Sequence, residues 1–192
     1  MSTSKPLLLS AQHEPVEGDE AYWLRRARKG DQQAFARLYQ RHAKAVHGLA
    51  WRLTADLHSA EDITQEAFLR LLRRFGGADP DRPLRPWLNR VAANLAIDRL
   101  RRSAREVDQT PWLTYRSAQP EPDACSEASG LLRHLPPVAR TLVWLNQVEG
   151  WSHQSLSKRF GRSESWSKSI VSRALIHLRE LVNHPGDSTH ER

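Results

Sequence analysis

The 192-residue chain has one cysteine, Cys125. A lone thiol excludes an internal disulfide framework and any zinc site built on several thiolates, and it fits a reduced, cytosolic setting. Long apolar runs are also missing, and Leu7, Leu8 and Leu9 form one of the longer ones. Nothing approaches the ~20 apolar residues that a membrane helix needs. Lys5 and that short run make no signal peptide, because the apolar part is too short and acidic residues follow. Strand-type alternation, internal repeats and low-complexity tracts are nearly absent. The nine histidines are scattered without an HExxH-like pairing, so no metal is expected. With no Gly-x-Ser-x-Gly, P-loop or dinucleotide fingerprint, no cofactor, catalytic residue or enzyme activity is expected either.

What is present is basic charge, unevenly placed. Lys and Arg number 29 against 22 Asp and Glu, giving +7. Alone this supports solubility or non-specific attraction to an anionic partner. Residues 21–103 hold 17 basic and 8 acidic side chains, and residues 131–182 hold 8 and 3. Between them, residues 104–130 hold 2 and 5, with Pro111, Pro120 and Pro122 among them. This pattern reads as two domains and a linker, or as one domain with a long surface loop. The expected division is a disordered tail 1–19, a first domain 20–105, a flexible linker 106–125, a second domain 126–182 and a tail 183–192.

Helical signals recur. Asp31 is placed to N-cap a helix striped by Ala34, Phe35, Leu38, Val46, Leu49, Ala50 and Leu53. Gly30 ends a shorter helix through Tyr22, Trp23, Leu24 and Ala27. Ser59 and Asp62 read as a capping box opening a third helix, with Glu61 and Asp62 at its positive end and Gly76-Gly77 after it. A loop dense in Gly, Pro and Asp spans 76–85, and Pro86 suits the first turn of a helix reaching about Arg105. Further helices are expected at 126–135, at 138–148 behind Pro136-Pro137, at 152–160 and from 163 to about 182. The architecture expected is all-α, four helices plus four.

The last pair, split by Gly161, has helix-turn-helix proportions. At 100° per residue, Trp166, Ile170, Ala174, Leu178 and Leu181 share one face. Ser165, Lys168, Ser169 and Ser172 lie roughly opposite, with Arg173 on the flank. Short hydroxyls and cations on an outer face suit approach to a major groove. An ordinary amphipathic helix is the alternative, although solvated faces favour Glu and Lys over Ser.

Several stretches resemble a known family. Asp31-Gln-Gln-Ala-Phe-Ala-Arg-Leu-Tyr-Gln-Arg-His42 resembles the opening of region 2 of the extracytoplasmic-function (ECF) sigma factors of bacterial RNA polymerase, group 4 of the housekeeping-type sigma family. Ala60-Glu-Asp-Ile-Thr-Gln-Glu-Ala-Phe-Leu-Arg-Leu71 is similar to that family's polymerase-clamp-binding helix. Pro86-Trp-Leu-Asn-Arg-Val-Ala-Ala-Asn-Leu-Ala-Ile-Asp-Arg-Leu-Arg101 resembles its promoter −10 helix. Leu135-Pro136, Arg140, Glu149-Gly-Trp-Ser152 and Arg173-Ala174 resemble region 4. The chain departs from the pattern at Ser155-Leu156-Ser157, where an acidic residue, an aliphatic residue and Ala are usual. It departs again at Trp166-Ser167, where Thr-Val is usual and the Val packs inward.

The resemblance and the helical faces together define candidate sites. Asp62, Gln65, Glu66 and Leu69 lie within about 100° of arc, while Ile63, Ala67 and Leu71 face elsewhere. An acid–amide–acid patch beside Leu suits a basic helical partner, which the resemblance implies is the clamp coiled coil of the polymerase's largest subunit. Arg90, Asn94, Asp98, Arg101 and Arg105 form a second stripe, with Leu88, Val91, Ala92 and Leu95 toward the core. Arg meets phosphates, Asn94 can read a base edge, and Asp98 orients Arg101 or Arg102 or accepts from a base amine. The resemblance implies −10 binding here, with the 76–85 loop trapping an unpaired base. It also implies −35 binding by Lys168, Ser169, Ser172 and Arg173, flap contact by region 4, and inhibition by an anti-sigma factor. Trp23, Trp51, Trp144 and Trp151 read as core residues, Trp87 as core or as a stacking residue, and Trp112 as a linker anchor.

The function expected is that of an alternative sigma factor directing promoter recognition, −10 melting and initiation in the cytoplasm. Two rivals stand beside it. One is a helix-turn-helix regulator that does not engage core polymerase, which leaves the Asp62–Leu69 patch unexplained. The other is a nucleic-acid-processing enzyme, whose nearest acids, Asp79 and Asp81, sit in a Pro-rich loop.

Overall fold

The computed structural model describes residues 20–74, 83–103 and 127–183. The expected linker, the N-terminal tail, residues 184–192 of the C-terminal tail, most of the 76–85 loop and Arg105 of the second stripe lie outside the described residues. Among those described there are eight helices and no strand. They are α1 (Glu20–Arg28), α2 (Gln32–Thr54), α3 (Leu57–Arg74), α4 (Leu84–Ser103), α5 (Glu127–Leu132), α6 (Pro137–Gln147), α7 (His153–Phe160) and α8 (Glu164–Asn183). The all-α expectation of four helices plus four holds.

The caps show why these segments are helical. Asp31 takes the backbone N–H groups of Gln33 and Ala34, both at 3.0 Å, at the start of α2. These bonds, Ala34's first, hold its carboxyl below the usual range, with help from Arg26. Ser152 caps α7 through the Ser155 N–H, and Gly161 at φ 67° ends it. Ser163 takes the Trp166 N–H at the start of α8.

One expected cap is corrected. Ser59 lies inside α3, and Asp56 caps that helix instead, accepting from the Ser59 N–H at 3.0 Å and from the Ser59 hydroxyl. The reason is local. Ala55 turns into the left-handed region at φ 54°, closing α2 and leaving Asp56 as the last non-helical residue before the next turn.

Two sets of helices form. The long α2 packs against α1, α3 and α4, burying Leu24, Leu38, Val46, Leu53, Leu71, Leu88 and Ile97. At about 1.5–3 kcal/mol for each fully buried aliphatic side chain, this stripe supplies the main drive to fold. In the second set α8 packs on α6 and α7 over Leu142, Leu145, Leu156 and Ala174. Arg140 is only 2% exposed, yet its guanidinium donates to the carbonyls of Leu132, Arg133 and Leu135 at 2.9–3.1 Å. It thereby satisfies the carbonyl end of α5, which offsets the cost of burying the cation.

The two sets also meet. α6 lies on α2, where the buried Thr141 hydroxyl donates to the Leu53 carbonyl at 2.9 Å, and α4 touches α6 and α7.

Candidate polymerase and nucleic-acid surfaces

Each of the three groups of residues singled out in the sequence lies on a single helix. On α3, Ile63, Ala67 and Leu71 are buried while Asp62, Gln65 and Leu69 are exposed and Glu66 is half-buried. Leu69 is 45% exposed, and Leu72 and Tyr39 are exposed nearby apolar side chains. The acids are not bare. Asp62 pairs with Arg99 of α4 at 2.8 Å, and Glu66 accepts from Arg70 at 2.9 Å. The Arg70 bond, then the charges of Arg70 and Arg73, hold the Glu66 carboxyl below its usual range and keep it ionised. Such exposed pairs are weak, so a cationic partner can take over either acid at little cost.

On α4 the core face is broader than the sequence implies. Leu88 and Ala92 are buried as expected, Val91 and Leu95 are half-buried, and Ala93, Ala96 and Ile97 are buried too. Trp87 is half-buried against the core, in keeping with its core reading. Arg90, Asn94, Asp98 and Arg101 do form one stripe, but it faces α7. Arg90 lies over the Trp151 ring at 5.9 Å, and Arg101 donates to the Arg159 carbonyl at 3.1 Å. Arg159 reaches back to the Asn94 carbonyl at 3.5 Å and lies 3.6 Å from the Asp98 carboxylate. The arginine that the Asp98 carboxylate faces is thus Arg159 of the second set of helices, not the expected Arg101 or Arg102; Arg102 reaches only the Asp98 backbone carbonyl, at 3.3 Å. Beside this seam an open cleft of about 890 Å³ is lined by Arg90, Asn94, Trp151, Ser155 and Lys158 among others. Among the described residues the Arg159 Nε hydrogen, buried there, has no acceptor, which is a cost the seam carries.

On α8 the register is settled by burial. Ser167, Ile170, Val171 and Ala174 face inward, and Trp166, half-buried, leans on Phe160. Ser167 is wholly buried at the position where a valine is usual, and its hydroxyl pairs with His153 Nδ1 at 3.1 Å. A small polar residue is tolerated there because this imidazole satisfies it. Lys168, Ser169, Ser172 and Arg173 are all exposed. Lys168 is held by Glu164 at 2.7 Å, and Arg173 donates to the Ser169 carbonyl at 3.4 Å. The Lys168 hydrogen bond, then its charge, keeps the Glu164 carboxyl below its usual range.

Sequence reasoning missed Arg159, His153 and Glu164, and gave Trp151 a core role without its contact to Arg90. Only Glu164 left a local signal, its four-residue spacing from Lys168. Among the described residues no group of acids, histidines or cysteines is arranged to hold a metal, and no helix is long and apolar enough to cross a membrane.

The sequence matches two families, Sigma-70 region 2 over residues 38–106 and Sigma-70 region 4 over residues 127–178. It is 35% identical to RNA polymerase sigma factor CarQ of Myxococcus xanthus over 166 residues, covering 83% of this chain and 95% of that protein. It is 39% identical to ECF RNA polymerase sigma factor SigW of Bacillus subtilis over 143 residues, covering 66% of this chain and 76% of SigW. In three dimensions it resembles CnrH, solved in complex with the cytosolic domain of CnrY. The TM-score is 0.50 at 25% identity, over 87% of this chain and 99% of CnrH.

Proposed function

Because this chain belongs to the ECF sigma factors of bacterial RNA polymerase, we propose that its two sets of helices divide promoter recognition between them. As an alternative sigma factor it binds core polymerase and directs promoter recognition and initiation. The observation that carries this is the presence of both sigma regions, in order, in one chain. Catalysis belongs to the polymerase, so no catalytic residue is assigned here, and the cytoplasm is where polymerase and promoter are found.

Residues 20–105 act as the first domain. Asp62, Gln65, Glu66 and Leu69 dock on the clamp helices of the largest subunit, and Arg90, Asn94, Asp98 and Arg101 engage the −10 element as it melts. Residues 126–182 act as the second domain, reading the −35 duplex through Lys168, Ser169, Ser172 and Arg173 and meeting the flap. The linker at 106–125 spans the distance between the two DNA elements. An anti-sigma factor is the expected inhibitor, supported by CnrH having been solved with the cytosolic domain of another protein. The α4–α7 seam adds a condition. The −10 stripe meets DNA only after α7 leaves it, so docking on polymerase has to separate the two sets of helices. Transcription in vitro with core polymerase on a promoter library tests the whole reading. A helix-turn-helix regulator that ignores polymerase gives no transcripts in that assay.

A further inference from the structure

The first turn of α4 presents a capping problem that the described residues next to it leave unsolved. A helix N-terminus exposes backbone N–H groups that need acceptors. The residue before α4 is Pro83, which has no side-chain acceptor, and its first residues are Leu84, Arg85 and Pro86. None of these is a Ser, Thr, Asp or Asn. The acceptor comes from 64 residues upstream. Glu20, the first residue of α1, accepts the Leu84 N–H through Oε1 at 2.7 Å. Its other oxygen, Oε2, lies 2.8 Å from Nε2 of His42, a buried side chain on α2. That approach is bent, short of a straight hydrogen bond, so the Leu84 bond is the firmer of the two. One carboxylate thus joins α1, α2 and the start of α4, with its negative charge at the positive end of the α4 dipole.

We propose that Glu20 is a positioning residue for promoter melting. It fixes where α4 begins, and so how the Arg90–Asn94–Asp98–Arg101 stripe is presented to the −10 strand, with His42 holding its carboxylate in place. Neither Glu20 nor His42 lies on the stripe or on the α3 patch. The inference rests on the −10 reading of α4, so the test must separate the two.

The test uses the full chain with core polymerase on a duplex promoter and on the same promoter carrying a pre-melted −10 bubble. Permanganate reactivity of thymines reports opening, and competition against the housekeeping factor reports core affinity. Glu20→Ala should slow opening on the duplex by about fivefold, the factor carried by loss of an ordinary cap. It should leave core affinity unchanged and recover on the bubble template. Glu20→Gln keeps an oxygen for the Leu84 N–H and should restore most of the duplex rate. Asn94→Ala is the control for the reading itself. If Asn94→Ala is defective and Glu20→Ala opens the duplex normally, the positioning role is wrong and the −10 reading stands. If Glu20→Ala and Glu20→Gln lose core affinity and opening together, Glu20 merely supports the fold and the proposal fails. Normal opening by Asn94→Ala overturns the −10 reading and the proposal with it.

Discussion

Thr141→Val perturbs the seam without touching any residue assigned to DNA or polymerase. Thr141 is completely buried, and its hydroxyl donates to the Leu53 carbonyl, one of the last carbonyls of α2. Valine has nearly the same shape but no donor, so the closed arrangement would bury a carbonyl that has lost this partner. An unsatisfied buried group costs about 1–3 kcal/mol. When the two sets of helices separate, water reaches the carbonyl and the cost disappears. The closed arrangement should therefore lose about five- to 150-fold in population relative to the open one, at RT of about 0.59 kcal/mol. The other contacts between the two sets, Arg101 to the Arg159 carbonyl at 3.1 Å among them, are left unchanged by the substitution. The Arg159–Asp98 pair is partly exposed, and the Arg159–Asn94 bond is long at 3.5 Å. A binding face that is open only part of the time has its affinity reduced by that fraction. The variant should therefore bind a single-stranded −10 nontemplate oligonucleotide at least about fivefold more tightly than wild type. Amide hydrogen exchange along α7 should quicken in parallel. Unchanged affinity together with unchanged exchange would refute the claim that α7 masks the stripe in the free chain.

Five further outcomes follow from the same geometry. Gln65→Ala combined with Glu66→Arg should weaken core binding at least about tenfold in competition with the housekeeping factor, while helical content stays unchanged. Asn94→Ala should impair opening more than initial promoter binding, as read by permanganate reactivity and gel shift. Lys168→Ala should weaken every promoter alike and lower the salt slope of binding by about one. Arg173→Ala, by contrast, should relax preference at one base pair at a cost of about 1–3 kcal/mol if it reads a guanine edge; identical selected sites would assign it to phosphate. Acid should weaken the fold through Asp56, whose carboxyl is held below its ordinary 3.8, first by the Ser59 hydroxyl and then by the Ser59 N–H. Because the folded value is the lower one, this contribution is full at neutral pH and fades as pH falls through and below that value. Asp56→Asn should melt earlier at pH 7, with the gap closing in acid melts.

How much of this was legible in the sequence depends on the distance over which each feature acts. Asp31, Ser152 and Gly161 act on neighbours within three or four residues, and each does what its sequence position implies. The α3 and α8 faces are helical periodicities, so Ile63, Ala67 and Leu71 inside and Lys168, Ser169 and Ser172 outside were both readable. Ser59 misled because Ser-x-x-Asp imitates a capping box, while the working cap is the Asp three residues earlier, selected by the turn at Ala55. Ser167 showed on the sequence only as a departure, because the imidazole that satisfies it lies 14 residues away. The Glu20–Leu84 bond and the Arg159 contacts join residues 58 to 65 positions apart. No local pattern encodes such pairings. They arise only when α2 brings α1, α4 and α6 together.

The most direct measurement is transcription by core polymerase reconstituted with this chain on a library of randomised promoters. The account predicts transcripts from a restricted set sharing a −35 and a −10 element. It also predicts that this output falls with Gln65→Ala/Glu66→Arg and that its −35 preference changes with substitutions at Lys168 or Arg173. Output no greater than that of core polymerase alone, with the chain folded and in excess, would contradict it.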